Sequence, residues 1–427
     1  MSRNVVELSG AERTARHPHA PRVLIYSHDT FGLGHIRRCR AIANSLIAHY
    51  PHISVLIVSG SSVISSFQFG DGVDYVRIPG VEKDSDGRYR PHHLNLDLDD
   101  TIRLRTDLIK QLALSFDPDI FIVDKEPIGL RGELVPALEI LRRRGARIVL
   151  GLRDVLDEPE KLNREWRNTG ALEALSDIYD DIFVYGLEGV YEPLQGLPNP
   201  HLFADKIRYT GYLRRAVPSP VQPTRFPRIT KEPFTLVTPG GGGDGAGVID
   251  WVISAYECDP TIPLPALIVF GPFMSRERRK EFTDRIARNA KLESLGFEPR
   301  LELLMNRAHC VVAMGGYNTF CEVLSFDKPA LIVPRVKPRL EQAIRAERAE
   351  SLGLASVLRD PSQDGTGTRD PRVMAAALHA LPKRTPPSQA FVPSLLDGLP
   401  AISRAFADDL TPPVRSRMRT QSSALGS

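Results

Sequence analysis

From Arg22 to Leu358 short apolar, β-branched runs alternate with stretches whose apolar residues recur at helical spacing. Runs of about four to eight such residues bounded by polar turns predict strands, and their alternation with helices predicts βαβ units and parallel sheets. In the first half the runs are Arg22–Tyr26, Ile53–Val58, Tyr75–Ile78, Ile120–Asp124, Ile148–Leu152, Ile182–Tyr185 and Ile207–Thr210. In the second half they are Phe234–Thr238, Ala266–Phe270, Arg300–Leu303, Cys310–Ala313, Ala330–Val333 and Ala355–Leu358. The first helix carries one apolar stripe, Ile36, Cys39, Ala43, Leu46, Ile47 and Tyr50. The fold class that follows is α/β, with doubly wound parallel sheets.

A change of pattern divides the chain. Residues 214–233 hold Pro218, Pro220, Pro223, Pro227 and Pro233 with little apolar periodicity, which suits a semi-stiff linker. The expected organisation is a leader over residues 1–20, a Rossmann-like domain over 21–213, the linker, a second Rossmann-like domain over 234–385, and a polar tail over 386–427 with a helix at about 393–410. A chain of 427 residues with 42% apolar residues can fill two full-sized cores. The 55 Lys and Arg against 52 Asp and Glu leave a net charge of +3, too small to argue for nucleic acid. Cys39, Cys258, Cys310 and Cys321 stand far apart in apolar contexts, so they predict core residues in a reducing compartment rather than a disulfide framework or a zinc site. The first twenty residues lack the apolar core of a signal peptide, and no stretch approaches the ~20 apolar residues of a membrane span. The expectation is a cytoplasmic protein.

Four strand–turn–helix junctions carry candidate chemistry. After the first run comes His28-Asp29-Thr30-Phe31-Gly32-Leu33-Gly34-His35, a glycine turn opening a helix, where backbone amides and the helix dipole favour negative charge. After the first run of the second half come Gly240, Gly241, Gly242 and Gly243. Four glycines in a row cost backbone entropy, and a backbone cradle for phosphate accounts for them. The third junction is Gly315-Gly316-Tyr317-Asn318-Thr319-Phe320-Cys321-Glu322. There Gly315 and Gly316 suit a diphosphate and Glu322 suits a ribose diol, although Thr319 and Glu322 also have the spacing of a capping box. The fourth, Arg335 to Gln342, gathers Arg335, Lys337, Arg339, Glu341 and Gln342, fit for phosphate and sugar hydroxyls or for plain solvation. Asp97-Leu98-Asp99 and Asp117-Pro118-Asp119 could hold a divalent ion on a diphosphate, but each sits where a helix start or a turn wants an acidic residue, and both are read as structural.

In the second half a glycine loop, a Gly-Gly…Glu helix and a Val-Pro…Glu-Gln helix follow in order. This resembles the UDP-sugar-binding domain of the MurG-like glycosyltransferases, which make a lipid-linked disaccharide of peptidoglycan, and, closer still, a set of predicted bacterial glycosyltransferases with a His-Asp-Thr-Phe-Gly-Leu-Gly-His start. The resemblance spans roughly residues 21–360. It implies a GT-B fold, two Rossmann-like domains facing across a cleft, with a UDP-sugar donor held by the second and an acceptor by the first. It matches Glu322 to the family's ribose-binding acid, Gln342 to the second of two glutamines on the donor hexose, and Gly34 and His35 to the end of the first glycine loop. Here Glu341 replaces the first glutamine, and Thr30 and Phe31 stand where the family has Gly-Gly.

The function so implied is transfer of a hexose or N-acetylhexosamine from a UDP-sugar to an acceptor hydroxyl in bacterial cell-envelope or exopolysaccharide synthesis, inverting and independent of metal or other cofactor. Donor contacts are expected from Gly240, Gly241, Gly242, Gly243, Gly315, Gly316, Asn318, Thr319, Glu322, Arg339, Glu341 and Gln342. The acceptor side is expected at Gly32, Gly34, Asp124, Glu126 and Arg153, with His35 as general base and Asp29 as the other catalytic candidate. The acceptor would be lipid-linked or a glycan, and Arg37, Arg38 and Arg40 beside Phe67 and Phe69 suggest a peripheral contact with the inner membrane face. Two other readings stay open: a UDP-sugar 2-epimerase on the same scaffold, and a non-catalytic nucleotide-binding partner subunit.

Overall fold

The computed structural model describes residues 20–28, 33–83, 89–217, 226–241 and 243–411. Asp29, Gly32 and Gly242, the expected leader up to residue 19, residues 218–225 of the expected linker and residues 412–427 of the expected tail lie outside the described residues.

The first half holds β1 Arg22–Ser27, β2 Ser54–Ser59, β3 Val73–Arg77, β4 Val81–Lys83, β5 Tyr89–Pro91, β6 Ile120–Asp124, β7 Arg147–Arg153, β8 Asp181–Tyr185 and β9 Ile207–Tyr209. Seven of these form a parallel sheet in the order β3-β2-β1-β6-β7-β8-β9, and β4 and β5 pair antiparallel. The second half holds β10 Thr235–Thr238, β11 Ala266–Val269, β12 Leu292–Leu295, β13 Cys310–Ala313, β14 Ala330–Ile332 and β15 Ser356–Val357, a parallel sheet ordered β12-β11-β10-β13-β14-β15. In β1, Val23 and Ile25 pack into one cluster while Leu24 and Tyr26 pack into the cluster on the opposite face. Helices cover both faces, which is why these strands read as continuous apolar runs rather than as alternating ones. Each sheet reverses its chain order beside its first strand, between β1 and β6 and between β10 and β13. Ligand clefts form outside the carboxyl ends of strands at such points, and the glycine junctions lie there.

Two expectations need correction. Arg300–Leu303 is not a strand: Leu301–Arg307 is a helix, and the edge strand is β12. Four residues of alternation fit a strand, but Leu301, Leu304 and Met305 continue at helical spacing and are buried. Cys258 is exposed at the end of the helix Ala246–Cys258, whereas Cys39, Cys310 and Cys321 are buried. Both acidic pairs are occupied structurally. Asp97 caps the helix Leu98–Phe116 by accepting from the Asp100 amide at 2.7 Å. Asp117 accepts from Arg144 at 2.8 Å, and Asp119 accepts from the Arg22 amide at 2.8 Å.

The chain returns to the first half after completing the second. The Tyr212 amide donates to Leu395 O at 2.8 Å, and Leu213 bridges to Asp397. The helices Gly398–Ala405 and Ala407–Leu410 then dock beside the helix Gly34–His49. Tyr50 Oη donates to Ser403 O at 2.9 Å, and Arg147 donates to Ala405 O at 2.7 Å and to Asp409 at 2.6 Å. Phe406 is fully buried between them, its ring 5.5 Å from that of Phe183 and 5.1 Å from the Arg147 guanidinium. Phe406→Ala is expected to cost about 3–5 kcal/mol. Denaturant unfolding should report this loss; a change below about 1 kcal/mol would mean that the returning helix contributes nothing to the first half's core.

Candidate functional site

The carboxyl ends of the two sheets face each other and enclose a cavity. Its first-half wall is Leu33, Gly34, His35, Arg37, Arg38, Phe67 and Arg153; its second-half wall includes Gly240, Gly241, Gly243, Gly316, Asn318 and Thr319. Gly34 and His35 open the helix that follows β1, and Asp124 is the last residue of β6, the adjacent strand. This neighbourhood brings His35 Nδ1 to 2.5 Å from Asp124 Oδ2. Arg38, one turn along the helix, holds the same carboxylate through Nε at 2.7 Å and Nη2 at 2.8 Å.

The charges at this junction follow from their partners. Burial alone would raise the Asp124 carboxyl, but Arg38 and then His35 hold it far below the usual carboxylate range. Burial lowers His35 to about 4, against the pull of Asp124. So close to an ionised carboxylate, Nδ1 carries the hydrogen, and Nε2 of the neutral ring keeps its lone pair. The 3.1 Å approach of Arg38 Nη2 to Nδ1 is then a contact rather than a hydrogen bond, since both nitrogens are donors. Behind His35, the buried His28 ring stands edge-on at 5.7 Å, and burial pushes its pKa well below the ordinary value.

On the second-half wall, Gly316 precedes the helix Tyr317–Ser325 with no side chain capping it. Gly315 has φ 77°, a conformation open to glycine at little cost. Arg335 lies between two acids, donating to Asp244 at 2.9 Å and to Glu341 at 2.6 Å, and its amide donates to Gln342 Oε1 at 3.2 Å. Glu341, Gln342 and Arg335 all line the cavity. Asn318 spans the cleft, donating to Gly34 O at 2.8 Å and accepting from Arg215 at 2.7 Å.

Residues 241–366 match the glycosyltransferase family 28 C-terminal domain. The match lies wholly within the second half of the chain. More than nine-tenths of the chain is similar to solved structures of GT-B proteins. A glycotransferase of kitacinnamycin is 15% identical, with 92% of this chain and 100% of that one covered and a TM-score of 0.59. MurG of Acinetobacter baumannii is 14% identical, covering 91% and 99%, at 0.54. A Listeria monocytogenes protein assigned as a UDP-N-acetylglucosamine 2-epimerase is 13% identical, covering 91% and 96%, at 0.59. These likenesses show the GT-B fold. No curated protein sequence matches the chain.

Within this glycosyltransferase scaffold several expected site residues stand elsewhere. Glu322 is fully buried off the cavity wall, and its Oε1 accepts from Arg37, which also donates to Glu302 at 3.3 Å. Burial lifts the Glu322 carboxyl above the usual range, and Glu302 adds to the lift against Arg37. The capping box is absent, because the helix begins at Tyr317 and Thr319 lies inside it, on the cavity wall. Arg339 turns away from the cavity to pair with Asp157 at 3.1 Å and Glu165 at 2.9 Å in the first half. Glu126 pairs with Lys125 at 2.8 Å. Burial alone would raise the Glu126 carboxyl, but Lys125 first and His28 next bring it down to about 2. Of the residues in the membrane cue, Arg37, Arg38 and Phe67 are buried, Arg40 lies 5.1 Å over the Phe67 ring, and Arg40 and Phe69 are half-buried. Among the described residues, no helix is long and apolar enough to cross a membrane. Nor, among them, do three His, Cys, Asp or Glu side chains come together to hold a metal ion.

Phe297, Glu298 and Pro299 line the cavity without having been singled out, as does Gly271. The loop escaped notice because β12, the strand before it, was not read as one. Gly271 supports the glycine cradle from below: it has φ 86°, and a Cβ there would stand 2.6 Å from both Gly240 O and Gly241 O. Gly271→Ala should therefore displace the cradle and, if the cradle holds the phosphates of a nucleotide-sugar, weaken nucleotide binding by about tenfold or more, since close contacts at that distance force the backbone to shift. Calorimetric titration would measure it, and an unchanged affinity would separate the cradle from the ligand.

Proposed function

We propose that the protein is an inverting glycosyltransferase that moves a hexose or N-acetylhexosamine from a UDP-sugar to the hydroxyl of a glycan or lipid-linked acceptor. The reading rests on one observation: a single cavity joins a glycine cradle and a helix N-terminus on one wall to an Asp-oriented histidine on the other. The cradle of Gly240, Gly241 and Gly243 and the first turn of the helix Tyr317–Ser325 supply amide donors for a diphosphate. Gln342 and Glu341 are suited to sugar hydroxyls. On the opposite wall, His35 Nε2 takes the acceptor proton as its oxygen attacks the anomeric carbon from the face opposite the leaving UDP. Asp124 fixes the ring and stabilises the imidazolium that forms, the role a carboxylate plays beneath a catalytic histidine. Arg38 keeps Asp124 ionised.

A 2-epimerase would convert a UDP-sugar with no acceptor present. Incubating the protein with a panel of UDP-sugars, with and without acceptor glycans, separates the two: release of UDP coupled to an elongated acceptor supports transfer, and acceptor-free conversion of the sugar overturns it. A non-catalytic partner subunit would bind UDP and turn over nothing.

His35→Ala is expected to lower kcat by about 10²–10⁴-fold with UDP affinity intact. Because burial holds the ring at about 4, turnover of the wild-type protein should stay level from pH 8 down to pH 5 and fall only as His35 gains a proton below that. A matching loss of UDP affinity in His35→Ala would make the ring a phosphate contact instead.

The leaving diphosphate is proposed to be stabilised by fixed amides and side chains rather than by a metal ion. Turnover should therefore survive excess EDTA. Complete loss, with recovery on adding magnesium or manganese, would overturn that part of the reading.

A further inference from the structure

Four arginines line the cavity, and three are committed. Arg37 serves Glu322 and Glu302, Arg38 serves Asp124, and Arg335 serves Asp244 and Glu341. The fourth, Arg153, ends β7. Its Nε is shut off from solvent without an acceptor, and none of its nitrogens has an ion-pair or hydrogen-bond partner among the described residues. Burial pulls the guanidinium down to about 10; Arg38 and Arg345 push the same way, against Glu341 and Asp154. Desolvating a cation without a counter-charge is costly, so such a group marks a place where an anion is to arrive.

Register and contacts say which anion. Asp124 is paired with Gly151, so Arg153 stands two residues farther along the adjacent strand on the same face, about 6.6 Å nearer the cleft. The next residue, Asp154, is clamped by Arg345 through Nε at 2.8 Å and Nη2 at 2.5 Å, and Arg345 Nη1 donates to Gly315 O at 3.0 Å. The end of β7 is thereby fastened to the glycine turn that opens the helix Tyr317–Ser325. That turn and the cradle offer only neutral amides. The remaining cation of the second-half wall, Arg335, sits between two carboxyl groups, so it brings no surplus positive charge to a diphosphate.

We propose that Arg153 is a catalytic residue that binds the diphosphate of the donor and stabilises the charge gathering on it as the sugar leaves. The step rests on the glycosyltransferase reading above. The acceptor oxygen bonds to the anomeric carbon while the bond from that carbon to the β-phosphate oxygen breaks. The bonding pair goes to that oxygen, the acceptor proton goes to His35 Nε2, and Arg153 remains protonated throughout. Its guanidinium comes from the half opposite the cradle, so the full set of diphosphate contacts exists only while the two sheet edges face each other. Preorganised donors aimed at charge that develops in the transition state are among the largest contributors to catalysis.

The test compares UDP, UMP and uridine binding to wild type, Arg153→Gln and Arg153→Lys by calorimetry, with thermal unfolding of each as the folding control. Arg153→Gln should lose about ten- to a hundredfold in UDP affinity with uridine affinity unchanged, and Arg153→Lys should recover part of the loss. Melting should not fall, because the substitution removes an unpartnered buried cation. An unchanged ratio of UDP to uridine affinity in Arg153→Gln overturns the assignment alone. So does a loss confined to a UDP-hexuronic acid titrated in parallel, with UDP itself unaffected, which would make Arg153 a reader of sugar carboxylates. A wild-type protein that binds UDP no better than uridine overturns the donor reading, and this proposal with it.

Discussion

The buried ion pair of Asp154 with Arg345 is the constraint on which the cleft depends. Asp154 belongs to the first half and Arg345 to the second, and both are 1% exposed. Two charges cannot be taken out of water unless each finds a partner of good geometry. The pair meets that demand: Arg345 engages both carboxylate oxygens, and Tyr212 Oη donates to the same carboxylate at 2.9 Å. Tyr317, with the Arg38 and Arg345 guanidinium groups 5.5 Å and 5.7 Å from its ring centre, donates to Tyr185 O at 2.9 Å. Removing either charge would strand the other in a dry seam, at a cost of about 3–5 kcal/mol. The facing of His35 and the glycine cradle therefore follows from electrostatics at a place off the cavity wall.

Around this seam the wall divides its labour. The cradle and the turn at Gly315 present backbone, which has no side chain to reposition. The first half presents side chains whose orientation is fixed by ionic partners: His35 by Asp124, and Asp124 in turn by Arg38. A histidine kept neutral by burial beside a carboxylate kept ionised by arginine is ready to take a proton without prior rearrangement. Arg37 and Arg339 instead spend their charge on crossing the cleft, to Glu322 and to Asp157.

How much of this was legible in the sequence depended on the range of the interaction. Strands buried on both faces declare themselves, as Val23 to Tyr26 and Ile120 to Val123 do, because the apolar run is itself the packing. The glycine junctions were legible too, since a residue type chosen for its backbone marks a turn wherever it occurs. The Leu292–Leu295 edge strand was not, because Leu292 and Leu295 flank Glu293 and Ser294 without the alternation of a strand. Pairings between residues far apart in sequence were also invisible. Nothing near Glu322 shows that Arg37, 285 residues away, will take its carboxylate, and nothing near Arg339 names Asp157. His35 and Asp124 were each legible as cleft-facing candidates, but that the acid lies beneath the histidine emerged only once β6 lay beside β1.

The return of the chain to its first half has a bearing on how the molecule is made. Leu213 and Asp397 are bridged, so the polypeptide leaves the first half and re-enters it at adjacent points. The second half is in effect an insertion within the first. A ribosome delivers the second half complete, with its own sheet and core, while the first still lacks the two short helices that flank Phe406. The half made first is thus the half finished last, and until residues 398–410 emerge it has an open apolar flank along Phe183 and the helix Gly34–His49. A nascent chain stalled before that point would leave that flank uncovered, so the cost of interrupted synthesis falls on the first half rather than the second.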